Sequence, residues 1–141
     1  MSKPSTASVD RPGVESLDQA VPAGLVSKWR DLLDQHATVS CALEKELQSR
    51  HRIGLSEFET LDRLVDARCE TYRMSDLAGD IYLSQSALSR AVARLERDGL
   101  VSRSMCADDR RAIFVCLTDK GRALHAAAAP THRDVLAHTL H

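Results

Sequence analysis

Aromatic side chains are scarce, at 4% of 141 residues, so aliphatic groups must fill any core. No apolar run reaches 18 residues, which excludes a membrane-spanning helix. The first twenty residues carry Ser, Asp and Pro but no apolar h-region. No signal peptide is therefore expected, and the chain reads as cytoplasmic. Cys41, Cys69, Cys106 and Cys116 form no C-x-x-C pair, so in a reducing compartment they read as four thiols. There is no G-x-S-x-G, no phosphate-binding glycine loop and no H-E-x-x-H. An enzyme is not expected, nor a catalytic residue, nor a cofactor. A global basic field is missing too, since the net charge is −1.

What is present is a hydrophobic share of 43%, enough for a real core in one domain. Charge is uneven along the chain. Residues 84–122 hold eight Lys/Arg against five Asp/Glu, a net +3 that leaves −4 for the rest. A basic window on an acidic body fits one anion-facing surface.

Residues 1–20 have little periodicity and read as a flexible N-terminal arm. Residues 21–53 carry one long helical stripe: Leu25, Trp29, Leu32, His36, Val39, Leu43 and Leu47. Gly54 is expected to end that helix. Ser56 and Glu59 in S-E-F-E suggest a capping box for a second helix reaching about Arg68. A short third helix follows around Ser75–Ile81, then a fourth capped by Ser84 and left through Asp98-Gly99. "LVSRSMC" and "IFVCLT" read as strands around the charged turn "ADDRRA". Thr118 can cap a last helical region, 119–141, which Pro130 should kink or break.

The fourth helix raises the functional question. With Leu88 at zero on a helical wheel of 100° per residue, Val92 and Leu95 fall within about 40° of it. Ser86, Arg90 and Arg97 lie on the far side, with Ser89 and Arg94 flanking. Short side chains in its first half let the backbone approach a major groove. Gln85, Ser86 and Ser89 can meet base edges, and Arg90 can fork onto guanine or phosphate. The ordinary alternative is a solvated helix face. The hairpin tip, Asp109-Arg110-Arg111, tilts the balance, because arginines there have little packing role and suit a minor groove.

The run from Met74 to Leu124 resembles the DNA-binding core of the MarR family of bacterial regulators. The resemblance rests on L-A-x-x-I (Leu77 to Ile81), L-x-R-D-G-L-V (Leu95 to Val101) and D-R-R-x-x-x-V-x-L-T-x-x-G (Asp109 to Gly121). It implies a mainly α fold with a β-hairpin wing, a winged helix-turn-helix at 54–118 between N- and C-terminal dimerisation helices. It implies a homodimeric repressor on a pseudo-palindromic double-stranded DNA operator, responding to a small ligand or oxidant. Gln85, Ser86, Ser89 and Arg90 would face bases, Arg94 would lie nearer a phosphate, and Arg111 would enter the minor groove, steadied by Asp109 beside Arg110; the capping Ser84 belongs to the same DNA-binding set. The Leu25–Leu47 stripe, with Val135, Leu136 and Leu140, would form the dimer interface. The chain ends at His141, so either the final helix region is truncated or the dimer relies on fewer helices. A small-molecule effector would lie near Trp29, His36, Arg68 and Arg73, whose plainer roles are core aromatic, core-edge imidazole and surface arginines.

His132, His138 and His141 crowd the C-terminus but do not converge as a metal set, and read as solvent-facing. Cys41 reads as a buried packing cysteine, with a redox-sensing thiol as the alternative. The competing function is a winged helix used as a protein–protein module. It should show apolar groups where this chain has Ser and Arg.

Overall fold

The structure, a computed structural model, describes residues 22–67, 72–105 and 112–140. Its elements run α1 (Ala23–His51), α2 (Leu55–Leu64), α3 (Met74–Asp80), α4 (Gln85–Arg97), β1 (Val101–Met105), β2 (Ile113–Leu117) and α5 (Asp119–Thr139). The chain divides into two units, residues 1–37 and 38–141. In the first, α1 exposes Leu25, Val26, Trp29, Leu32 and Leu33, each 46–59% accessible. Among the described residues, no helix is long and apolar enough to cross a membrane.

The core belongs to the second unit. Leu47 and Ile53 meet Phe58, Leu61 and Leu64 of α2, Leu77 and Ala78 of α3, and Leu88, Val92 and Leu95 of α4. Leu100, Val101, Val115 and Ala128 close it from the hairpin and α5. Each fully buried Leu or Val contributes about 1.5–3 kcal/mol, so the aliphatic stripe of α4 is among the stronger constraints on its orientation. The strands pair antiparallel, Val101 with Leu117 through Met105 with Ile113. The Val115 amide donates to Tyr72 O at 3.0 Å, and Arg73 bridges to Phe114. The approach to α3 therefore lies along the free edge of β2.

Several local expectations shift. α1 ends at His51, and the left-handed residue is Arg52, at φ 59°. Gly54 instead precedes α2 in extended backbone, and the Glu57 carboxylate accepts its N–H at 2.7 Å. The capping pair is thus Gly54/Glu57, two residues earlier than Ser56/Glu59. A Cβ on Gly54 would stand 2.8 Å from Glu57 Oε1, which explains glycine there. The expected break at Pro130 does not occur: α5 runs unbroken from Asp119 to Thr139. Proline cannot donate to the carbonyl four residues back, but the buried Ala128, Thr131 and His132 hold the helix on either side of it.

Cys41 is exposed, not buried. It lies two residues from both Val39 and Leu43, about 200° around the helix from the side they bury. The reading of four thiols is also corrected: Cys116 is disulfide-bonded.

His132 is buried rather than solvent-facing. It and His125 stack on Phe58, with ring centroids 4.6 and 5.4 Å away. Glu59 pairs with His132 at 3.1 Å and Asp62 with His125 at 2.7 Å, while Arg133 reaches Asp62 at 3.0 Å. These contacts tie α5 to α2. Burial pushes the Asp62 carboxyl up, but hydrogen bonds from His125 and Arg133 outweigh it and hold the group below its ordinary 3.8. A depressed carboxyl stabilises the fold above its unfolded value and loses that contribution as pH falls through its folded one. Thermal melts below pH 3.8 should therefore show an acid-side loss that Asp62→Asn reduces; an unchanged acid limb would contradict the assignment.

Gly121 sits one turn into α5, where Thr118 Oγ1 accepts its N–H at 3.0 Å. A Cβ there would meet Leu100 O at 2.0 Å and Leu117 Cδ1 at 2.9 Å. In an open helix Gly→Ala gains about 0.5–1 kcal/mol. Here Gly121→Ala should instead cost about 1–3 kcal/mol in urea unfolding; a stabilised variant would show that α5 does not press on the hairpin as described.

Candidate nucleic-acid interface

The site is built on α4. Ser84 caps it, its Oγ accepting from Ala87 N at 3.1 Å. Gly99, at φ 76°, takes the left-handed exit that glycine allows. Leu88, Ala91, Val92 and Leu95 are buried. Ser84, Gln85, Ser86, Ser89 and Arg90 are all exposed, so the wheel assigned this face correctly.

A groove of about 550 Å³ opens beside this face. Gln85, Ser86 and Ser89 line one side, Arg73, Met74 and Ser75 at the start of α3 another, and Arg103, Ala112 and Ile113 from the outer half of the hairpin a third. Arg73, expected near an effector, lines this groove. Its guanidinium carbon sits 5.7 Å from the Phe114 ring centre. Ser75 and Arg103 were missed by sequence reasoning. Their signal was available only as position: one opens the first helix of the helix-turn-helix, the other points from the wing strand toward α4.

Next door, the Tyr72 phenol donates to the Asp80 carboxylate. Burial, then that bond and the Asp80 charge, push its pKa up to about 12. Tyr72 is thus a neutral anchor for the segment that carries Arg73.

The arginines sort by partner. Arg97 Nε donates to Asp98 at 3.1 Å. Arg103 gives Nε and Nη2 to Glu96 Oε1 at 3.0 and 2.8 Å. Arg94 Nε donates to Glu57 Oε2 at 3.1 Å. Arg90 is exposed and makes no ion pair among the described residues. Fixed arginines carry a compensating acid, so their pull on a distant anion is weakened; Arg90 keeps its full charge.

Asp109, Arg110 and Arg111 lie outside the described residues, as does Arg68. Trp29 and His36 belong to the first unit and Arg73 to the second. Among the described residues, no group of three or more His, Cys, Asp or Glu could hold a metal ion.

The profile of the MarR family matches residues 53–113, which run from the end of α1 to the start of β2. Among solved structures, AbsC of Streptomyces coelicolor, a MarR family transcriptional regulator, is 31% identical, with a TM-score of 0.74 over 85% of this chain and 80% of that one. Sco3205 of the same organism, a MarR family regulator solved in complex with DNA, is 30% identical, with a TM-score of 0.77 over 85% and 75%. BldR of Sulfolobus solfataricus, a transcriptional regulator, is 26% identical, with a TM-score of 0.69 over 82% and 84%. With a winged helix-turn-helix, the family's own profile across it and that identity over most of both chains, this chain belongs to the MarR family of transcriptional regulators.

Proposed function

We propose that two copies of this chain bind a pseudo-palindromic DNA operator, each laying α4 in a major groove, and that they repress transcription in the cytoplasm. The observation that carries this is the outer face of α4. Gln85, Ser86, Ser89 and an Arg90 with no ion pair among the described residues stand together on a helix whose other side is locked in the core. Short polar side chains permit close approach, and the free guanidinium can fork onto guanine O6 and N7. Sco3205, at 30% identity, was solved in complex with DNA, which supports DNA as the partner of this chain.

Arg111, with Asp109 and Arg110, would follow the phosphates into the minor groove from the wing. The second copy would cover the apolar side of α1, where Leu25, Trp29, Leu32 and Leu33 stand exposed. A partner-free monomer rarely leaves such a row in water. A protein-binding winged helix fits less well, because the α4 face offers it no apolar anchor. Response to a small ligand or oxidant belongs to the same proposal. The exposed Cys41 has the access an oxidant needs. Of the four residues considered for a ligand, Arg73 is better used at the DNA face.

Arg90→Ala should weaken operator binding by about 1–3 kcal/mol and relax preference at one base position. Arg111→Ala should weaken it through minor-groove contact, without changing that base preference. Fluorescence anisotropy at fixed salt checks both, and unchanged affinity in the two variants would reject the assignment.

A further inference from the structure

Glu57 and Arg94 form a contact that no sequence reading foresaw, and it bears on how α4 is aimed. Glu57 lies in the first turn of α2, its side chain only 12% accessible. Both of its oxygens are engaged. Oε1 accepts the Gly54 N–H at 2.7 Å, and Oε2 accepts Arg94 Nε at 3.1 Å. Next to it, Glu44 of α1 accepts the Leu55 N–H at 2.9 Å. The corner between α1 and α2 is thus held by two carboxylates, and one of them reaches across to α4.

Arg94 stands one turn after Arg90 on α4. Only its Nε is committed; the side chain remains 43% accessible, and neither Nη group has a partner among the described residues. The guanidinium is therefore pinned along one edge and open along the other. A buried carboxylate that holds an arginine this way restricts its rotamers before any anion arrives, so less ordering is needed on binding. It also cancels much of the arginine's charge at a distance. Such a cation adds little to indiscriminate attraction to DNA and contributes most when a phosphate sits on its open edge.

We infer that Glu57 is a positioning residue for operator recognition: it holds Arg94 as a preset phosphate clamp and ties the aim of α4 to the α1–α2 corner. This rests on the reading of α4 as the recognition helix. Glu57 itself touches no DNA in that arrangement, since its oxygens face Gly54 and Arg94. Glu57→Gln keeps the side chain's shape and an oxygen for Gly54, but it removes the charge and turns Arg94 loose.

The test uses the full chain, an operator duplex selected from a random pool, and a random-sequence duplex. Binding is measured by anisotropy across a salt series, with thermal melting alongside. Glu57→Gln should lower the operator-to-random ratio by roughly three- to tenfold, the range expected when one ordered side chain is released. It should also steepen the salt dependence by about one released ion, because a free Arg94 attracts any phosphate. Arg94→Lys keeps the charge but has neither the Nε donor nor the planar fork, so it should lower the ratio as well. A role confined to stability would lower the melting temperature and leave ratio and slope alone. The inference is overturned if folded Glu57→Gln retains the wild-type ratio and slope. Should that variant fail to fold, wild-type discrimination by Arg94→Lys overturns it instead. Arg90→Ala is the control: if it too binds the operator normally, the recognition-helix reading has failed, and not merely the role of Glu57.

Discussion

The burial of one narrow aliphatic stripe governs the rest of this molecule. Leu88, Val92 and Leu95 of α4 are almost wholly removed from water against α2, α3 and the hairpin. Because those three lie within an arc of about 60° on the helix, the opposite side can only face outward. Turning α4 by a third of a turn would put arginines into an apolar core, at a cost of several kcal/mol for each unpaired charge. The Ser/Gln/Arg face is therefore as firmly placed as the core itself. The cap at Ser84 and the left-handed Gly99 set where this oriented segment begins and ends.

Electrostatics then refines what packing has placed. The chain carries a net charge of −1, so long-range attraction to DNA is weak. Acids sit beside three of the cations at the interface: Glu57 with Arg94, Asp98 with Arg97, Glu96 with Arg103. On the proposed reading, each pair would trim indiscriminate affinity while keeping a shaped donor in position. Among the described residues Arg90 has no such acid and stands beside small polar neighbours. Discrimination by contact, not accumulation by charge, is the property such a surface favours.

Features set by local periodicity were legible from the residues alone. The α4 stripe, its cap, the Gly99 exit, the hairpin and the Thr118 cap all depend on neighbours within a turn or a strand pair. Features set by distant partners were not. Ser56-x-x-Glu59 fits a cap, but Glu57 is recruited by Gly54 and Arg94 and Glu59 by His132, so the helix starts earlier. Pro130 looks like a break until the buried residues around it are known. His132 reads as solvated because its carboxylate and aromatic partners lie more than seventy residues away. Arg94 has the spacing of a free surface arginine, and only the fold shows that it is tied to a buried acid. At the interface the types of residue were readable; their pairing was not.

Guanine methylation interference on a selected operator tests the central claim most directly, because N7 lies in the major groove, where α4 is proposed to lie. The prediction is interference in two symmetric half-sites centred about one helical turn apart, with the contact nearest each centre lost in Arg90→Ala. Interference confined to a single site, or binding indifferent to N7 methylation and to Arg90, would contradict it.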